Sequence, residues 1–468
     1  MTTINLSDSF KAYDVRGIVG ETITDETVQA TAAAFVDVLG LAGATVLVGG
    51  DMRPSSTQFM NVFAETLAAR GANPVILGQI STDELYFASG TLNAAGVTFT
   101  ASHNPAGYNG IKMTRAGAKP ISGDSGLEDI RILAQKYLDE GLPQPLNAPA
   151  EIEHRDVLAD YARHLRSLVD LSSIRPLKVV VDAGNGMAGL TTPAVLGDAE
   201  LEALPLEIFP LYFELDGSFP NHPANPIEPE NIADLQAAVK QHGADLGLAF
   251  DGDADRCFVV DENGAAVSPS AITALVAARE IARAKAAGEE TPVVIHNLIT
   301  SKAVPETVES AGGRAVRTRV GHSFIKAVMA EEDAVFGGEH SAHYYFRDFY
   351  FADTGMLAAM HILAALGRQN KPLSELVAQY EPYVASGEIN TKVADAAAAT
   401  QKVVDELGSG DDTEVETLDG TTISATDGSW WFNLRPSNTE PLLRFNAEAN
   451  DRETMERIRD SVLGILRG

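Results

Sequence analysis

Residues 245–256 read Asp-Leu-Gly-Leu-Ala-Phe-Asp-Gly-Asp-Ala-Asp-Arg. An apolar run the length of a buried strand gives way to a loop of three alternating carboxylates and an arginine. Residues 96–105, Gly-Val-Thr-Phe-Thr-Ala-Ser-His-Asn-Pro, repeat the arrangement with one hydroxyl, Ser102, beyond the strand end. Up to residue 375 such runs alternate with helix-period segments. Residues 45–48, 74–77, 178–182, 245–250 and 292–295 read as strands, and 26–39, 231–242, 270–287 and 354–366 as helices. That alternation predicts α/β layers on parallel or mixed sheets, with ligand sites in loops at strand ends.

The C-terminal stretch changes character. Residues 413–418, 421–426 and 429–434 are β-rich and separated by Asp419-Gly420 and Asp427-Gly428, both hairpin signals. A further strand at 442–449 and a helix at 452–466 complete a small α+β module. The proline-rich connector at 141–149, the turn at Asn263-Gly264 and the segment from Lys371-Pro372 to Gly387 are the breaks. The expected domains are therefore 1–150, 151–263, 264–376 and 377–468, one polar motif in each.

A chain of 468 residues is too long for one core, and 45% hydrophobic with 21% charged residues describes an ordinary folded protein. A single cysteine, Cys257, excludes an intrachain disulfide and suits a reducing compartment. The N-terminus lacks a basic region followed by an apolar run, and the apolar stretch 31–50 is broken by Asp37, Gly40 and Gly43. The expectation is a cytoplasmic, soluble protein without a membrane partner. A net charge of −30 argues against nucleic acid and means that any phosphate site must gather its cations locally.

The aspartate loop places Asp251, Asp253 and Asp255 where they can turn to one side, an oxygen-rich pocket suited to Mg²⁺. It is not an EF-hand: the position needing glycine holds Arg256, and Phe258-Val259-Val260 continues as a strand. Arg256 suits a phosphate oxygen. Ser102 is a candidate nucleophile or phosphate carrier, with His103 as a neighbouring base and Lys112 returning a cation nearby. No nucleophile elbow of a hydrolase is present, and Asn104-Pro105 also reads as a plain turn. In Gly337-Gly338-Glu339-His340-Ser341-Ala342-His343, Glu339 can grip vicinal sugar hydroxyls; no further Cys or His supports zinc at His340 and His343. Arg435-Pro436-Ser437-Asn438-Thr439 combines a forked cation with hydroxyl and amide donors, good chemistry for a phosphate dianion and favoured over the alternative of a capped turn between two strands.

Taken together, these motifs resemble the α-D-phosphohexomutase superfamily, most closely its phosphomannomutase/phosphoglucomutase branch. Residues 10–17, Phe-Lys-Ala-Tyr-Asp-Val-Arg-Gly, and Gly50-Asp51-Met52-Arg53 match as well. The resemblance implies three related mixed-sheet α/β domains and a smaller C-terminal α+β domain around a central cleft. It makes Ser102 a phosphoserine and, with Asp251, Asp253 and Asp255, a ligand of Mg²⁺, and it sets Arg256 beside the transferred group. Glu339 and Ser341 would hold sugar hydroxyls with His343 nearby, and Arg435, Ser437, Asn438 and Thr439 the phosphate that is not reacting. Tyr13, Arg16, Lys112 and His322 carry over too. The His-Ser-Ala-His form of the sugar loop leans toward mannose phosphates over glucosamine phosphate and leaves glucose phosphates open.

The activity implied is interconversion of mannose 6-phosphate and mannose 1-phosphate through a hexose 1,6-bisphosphate, by a monomer or weak homodimer. Phosphoglucomutase is the alternative activity. His343, Lys112 and His103 are the candidate acid–base groups, unranked by sequence. Two rivals predict different chemistry: a Mg²⁺-dependent sugar phosphatase with an aspartate nucleophile, and a non-catalytic sugar-phosphate sensor.

Overall fold

The computed structural model describes residues 4–144, 149–436 and 442–467. The described residues form two compact units: those of Met1–Val267, Met329–Phe336 and Ser341–Leu376, and those of Ser268–Val328, Gly337–His340 and Val377–Gly468.

The first unit holds two mixed sheets. One has the order Val15–Ile18, Tyr108–Arg115, Ala95–Phe99, Thr45–Gly50, Asn73–Gln79, Glu153–His154, with Lys119–Pro120 added on Tyr108–Arg115. Its three central strands, 95–99, 45–50 and 73–79, are parallel, and Tyr108–Arg115 runs against Ala95–Phe99. The other has the order Ala266–Val267, Cys257–Asp261, Leu246–Phe250, Leu177–Asp182, Leu206–Leu211. Leu246–Phe250, Leu177–Asp182 and Leu206–Leu211 are parallel, and Cys257–Asp261 is antiparallel to its neighbour. The two sheets thus share the order of a four-strand core, 108–115, 95–99, 45–50, 73–79 in one and 257–261, 246–250, 177–182, 206–211 in the other. Ala95–Phe99 in the first and Leu246–Phe250 in the second occupy the same place, and Ser102 and Asp251 both follow their C-terminal ends. The Cys257–Asp261 strand pairs with Ala266–Val267 across a turn at Gly264, so this sheet runs past residue 263.

Sequence chemistry explains why these elements form. Ala95–Phe99 and Leu246–Phe250 are buried along their whole length, as central strands covered on both faces must be. Helix Asp25–Leu39 opens on a Thr24/Thr27 capping box and stops at Gly40, whose φ of 66° few residues other than glycine adopt. Helix Thr82–Leu92 opens on a Ser81/Glu84 capping box directly after the strand Asn73–Gln79. Under the first sheet, Phe63 meets Phe35 at 6.0 Å and Phe99 at 5.7 Å, both edge-on.

In the second unit, Val293–Asn297 and Arg314–Thr318 pair in parallel beside helices Pro269–Ala286 and Ala303–Ser310. The C-terminal sheet is antiparallel, in the order Val384–Ala385, Leu442–Ala449, Trp430–Pro436, Thr421–Ala425, Thr413–Glu416, with Ile389–Lys392 also on Leu442–Ala449. Helices Ala396–Leu407 and Arg452–Arg467 add Val403, Ile458 and Val462 to its core of Ile423, Phe432, Leu434 and Phe445. The expected class holds: mixed sheets with helices in three α/β domains and a smaller C-terminal α+β domain. Among the described residues, no helix is long and apolar enough to cross a membrane.

Phe63 is fully buried between the sheet and its helices, so Phe63→Ala should lower the unfolding free energy of the first domain by ~3–5 kcal/mol in urea titration. A loss below ~1 kcal/mol would contradict this packing.

Candidate active site

Two strand-end loops meet in the first unit. Ser102 sits beyond Ala95–Phe99 with φ 50°, a left-handed conformation uncommon for a residue with a Cβ, and is 3% exposed. Its backbone N–H donates to Thr100 Oγ1 at 2.9 Å, and its Oγ donates to Asp251 Oδ2 at 2.7 Å. The two loops touch backbone to backbone, because a Cβ on Gly252 would lie 2.4 Å from the Ser102 carbonyl oxygen. Ala254, at φ 61°, curls the aspartate loop so that one oxygen from each of Asp251, Asp253 and Asp255 lies within 4.8 Å of the others.

Two cations answer these three carboxylates. Arg256 donates from Nε and Nη2 to Asp251 Oδ2 at 3.0 and 2.8 Å, and its Nη2 lies 3.3 Å from Ser102 Oγ. Lys112, on the strand Tyr108–Arg115, reaches Asp253 Oδ2 at 2.7 Å and Asp255 Oδ2 at 2.5 Å. Sequence proximity set Lys112 beside Ser102; the structure aims it at the carboxylates. Burial, then the neighbouring carboxylates, lifts Asp255 to about 6, and burial lifts Asp251 to about 6 against the pull of Arg256. Burial works against ionised Asp253 too, yet Lys112, Thr82 and Arg16 hold it below the carboxylate range. Lys112 keeps its proton, since Asp253 and Asp255 outweigh the burial that disfavours its charge.

The cluster fits a hard dication. Three carboxylates are buried together, and among the described residues Asp253 Oδ1 and Asp255 Oδ1 are buried with no hydrogen-bond partner. Magnesium-sized ions take oxygen ligands of this kind.

The other expected residues of the first unit gather around this centre. His103 Nδ1 lies 2.6 Å from Arg256 Nη2 and 3.3 Å from Ser102 Oγ, and burial, with Arg256 and Arg16, lowers its pKa well below the usual value. It is therefore a neutral imidazole whose Nδ1 accepts from Arg256. His343 is strand-bridged to Arg256; its Nε2 is 3.6 Å from Asp255 Oδ1 and its Nδ1 3.0 Å from Ser341 Oγ. Arg16 donates to Asn104 Oδ1 at 2.8 Å and Asp14 Oδ2 at 2.7 Å, which ties it to the Ser102 loop. Tyr13 is half-buried in the bend before Val15–Ile18.

The second unit carries the remaining candidates. Glu339 is buried at the end of the strand Phe336–Gly338, and its Oε1 accepts from the Gly321 N–H at 3.2 Å and from Asn297 Nδ2 at 3.1 Å. His340 Nδ1 lies 3.2 Å from Ser270 Oγ, and His340 belongs to no potential metal cluster among the described residues. His322 is the first residue of helix His322–Glu332. Arg435, on Trp430–Pro436, is mostly buried, with Asp419 at 3.8 Å and Glu388 at 3.9 Å, and among the described residues its Nη1 has no hydrogen-bond partner. Ser437, Asn438 and Thr439 lie outside the described residues.

The sequence reading passed over two supporting residues. Thr82 Oγ1 donates to Asp253 Oδ2 at 2.6 Å and its N–H to the Asp253 carbonyl at 3.1 Å, so the first turn of helix Thr82–Leu92 braces the aspartate loop. The capping box at 81–84 is the signal that could have found it, since it marks a helix starting at the ligand-binding end of a sheet. Asn297, on Glu339, carries no signal beyond being a polar residue at a strand end.

A hydroxyl poised on a carboxylate cluster beside an arginine defines a phosphoryl-handling site. The comparisons with known proteins identify its lineage. Residues 7–137, 159–264 and 269–383 match phosphoglucomutase/phosphomannomutase alpha/beta/alpha domains I, II and III, and residues 388–465 match the C-terminal domain. The chain belongs to the phosphoglucomutase/phosphomannomutase family. It is 41% identical over 464 residues to "Phosphohexose mutases" of Xanthomonas campestris pv. campestris, covering 98% of this chain and 99% of that one. With the phosphomannomutase of Salmonella typhimurium it shares 39% identity, over 98% of both chains. The crystal structure of a phosphoglucomutase/phosphomannomutase family protein from Burkholderia thailandensis has the same fold at TM-score 0.86 and 30% identity, covering 99% of this chain and 98% of that one.

Because Thr82 orients Asp253 without being a ligand itself, Thr82→Val should weaken divalent-ion affinity about tenfold or more in calorimetric titration with Mg²⁺ or Mn²⁺. Unchanged affinity would remove Thr82 from the support of the site.

Proposed function

We propose that the protein is a phosphohexomutase that interconverts mannose 6-phosphate and mannose 1-phosphate, with glucose phosphates as secondary substrates. The observation that carries this reading is Ser102 Oγ held at 2.7 Å on Asp251 inside a carboxylate cluster that fits a dication, with Arg256 3.3 Å away. The mannose preference draws on relatives named phosphomannomutase at 38% and 39% identity over nearly the full chain.

O6 and O1 of one sugar are too far apart for direct transfer, and a phosphorylated Ser102 removes the difficulty. In the first half-reaction the P–Oγ bond breaks as a free sugar hydroxyl forms a new P–O bond, giving hexose 1,6-bisphosphate. The hydroxyl proton passes to a base and Ser102 Oγ is reprotonated on release. The bisphosphate reverses its orientation, and Ser102 takes back the other phosphoryl group. Bound at Asp251, Asp253 and Asp255, with Ser102 as a further ligand, Mg²⁺ would supply positive charge for the phosphoryl oxygens. Arg256 adds its own charge from beside Ser102.

We rank the acid–base groups by the contacts each one makes. Lys112 keeps its proton and balances Asp253 and Asp255, and His103 already accepts from Arg256. His343, next to Asp255 and partly exposed, is the group we assign to the sugar hydroxyl's proton. Glu339 and Ser341 would bind sugar hydroxyls, and His322 would be a further substrate-binding residue. Arg435, whose Nη1 lacks a hydrogen-bond partner among the described residues, would hold the distal phosphate with Ser437, Asn438 and Thr439, and Arg16, tied to the Ser102 loop through Asn104, and Tyr13 would be further substrate-binding residues. Domains of 1–150, 151–263, 264–376 and 377–468 accompany this reading, as does a cytoplasmic monomer or weak homodimer acting on small hexose phosphates.

A coupled assay with mannose 1-phosphate and glucose 1-phosphate in parallel, on wild type and Ser102→Ala, tests the reading. Isomerisation without release of inorganic phosphate is expected, with mannose preferred and Ser102→Ala slowed by more than about a thousandfold. Phosphate release that survives Ser102→Ala would instead favour a phosphatase with an aspartate nucleophile.

A further inference from the structure

We propose that Arg53 is the positioning residue of Ser102: its guanidinium gathers the carbonyls of the 102–108 loop and so holds the serine in the conformation from which it exchanges phosphate. The inference rests on the phosphoserine reading above.

Arg53 stands between the strand Thr45–Gly50 and helix Pro54–Ala69, and its side chain is completely buried. A guanidinium has five N–H donors, and all five are used. Nε donates to Asp51 Oδ2 at 3.2 Å. Nη1 donates to the carbonyls of Pro105 at 2.8 Å and Tyr108 at 2.9 Å, and Nη2 to those of Ser102 at 2.9 Å and Asn104 at 2.7 Å. Four carbonyl dipoles of one loop therefore converge on one cation. Without it they would repel and turn outward, and with them the Ser102 peptide, whose left-handed backbone a residue with a Cβ does not favour on its own.

The surroundings fix Arg53 in turn. Asp51 accepts from the Arg53 backbone N–H at 3.0 Å and from Ser56 Oγ at 2.7 Å, so the carboxylate that orients Nε cannot swing away. The Phe219 ring lies 5.2 Å from the guanidinium carbon, and a Cβ on Gly217 would come within 2.6 Å of Arg53 Cα, so the segment through 217–219 lies directly over it. The Ser102 carbonyl that Arg53 grips is also the atom against which Gly252 packs. Arg53 thus controls the height of Ser102 over the aspartate loop as well as its backbone angle. Lysine cannot replace it: an ammonium has three donors and no planar fork to span four carbonyls and a carboxylate.

A residue that acts by aiming Ser102 should affect transfer and leave binding alone. Arg53→Lys should fold, keep the sugar-phosphate KM and the divalent-ion affinity, and lose about a hundredfold in kcat and in the rate at which hexose 1,6-bisphosphate phosphorylates the enzyme. Arg53→Ala should regain part of the lost rate with millimolar methylguanidinium, which can refill the vacated fork. Either of two results overturns the inference: Arg53→Lys with kcat within about twofold of wild type, or Arg53 variants that unfold or lose KM and ion affinity in step with kcat. Ser102→Ala, measured alongside, separates this failure from failure of the parent reading. If Ser102→Ala is active, the phosphoserine role falls and this inference with it. If Ser102→Ala is inactive while Arg53→Lys is not, only the role of Arg53 falls.

Discussion

Asp251, Asp253 and Asp255 lie within a few ångströms of one another in a space closed to water, and that arrangement is unstable unless positive charge is brought to it. Much of the first unit's polar architecture answers this demand. Arg256 is held on Asp251, Lys112 crosses from a neighbouring strand to Asp253 and Asp255, and Thr82 steadies Asp253 through a helix start. What remains is two buried carboxylate oxygens that lack a hydrogen bond among the described residues, oxygen ligands of the kind a hard dication takes. Ser102 Oγ is placed against this centre, on Asp251 Oδ2 and beside Arg256, and the proposed phosphoryl transfer draws on that placement.

The placement follows from topology. Ser102 and Asp251 follow strands that occupy equivalent positions in the four-strand core common to two sheets, each bordered by an antiparallel strand. Reusing one layout lets two loops with unrelated sequences arrive with matched geometry, and a glycine at 252 lets them touch. Lys112 lies on the antiparallel neighbour of the Ser102 strand, opposite Thr98, one strand over from the hydroxyl it accompanies. In the second unit, Glu339 likewise begins where the strand Phe336–Gly338 ends.

Much of this is readable without coordinates because the decisive residues are local. The buried strands are short apolar runs, the hairpins at 419–420 and 427–428 carry Asp-Gly, and Asp251, Asp253 and Asp255 stand in one loop. What is not readable depends on distance along the chain. Thr82 meets Asp253 across 171 positions, and Lys112 meets Asp255 across 143. The shared strand order is also invisible, because strand pairing leaves only an alternation of apolar residues, and many sequences satisfy that. The charge state of His103 is hidden too: nothing beside it in the sequence announces Arg256, 153 positions away.

The central claim is that Ser102 carries the phosphoryl group between the two sugar oxygens. Incubating the purified protein with a hexose 1,6-bisphosphate and mapping its peptides by mass tests this directly. One phosphoryl group should appear, on the peptide containing Ser102, and should return to sugar when mannose 1-phosphate or mannose 6-phosphate is added. A phosphoryl group found on the aspartate loop instead, or full turnover by a protein that never becomes phosphorylated, would contradict the account.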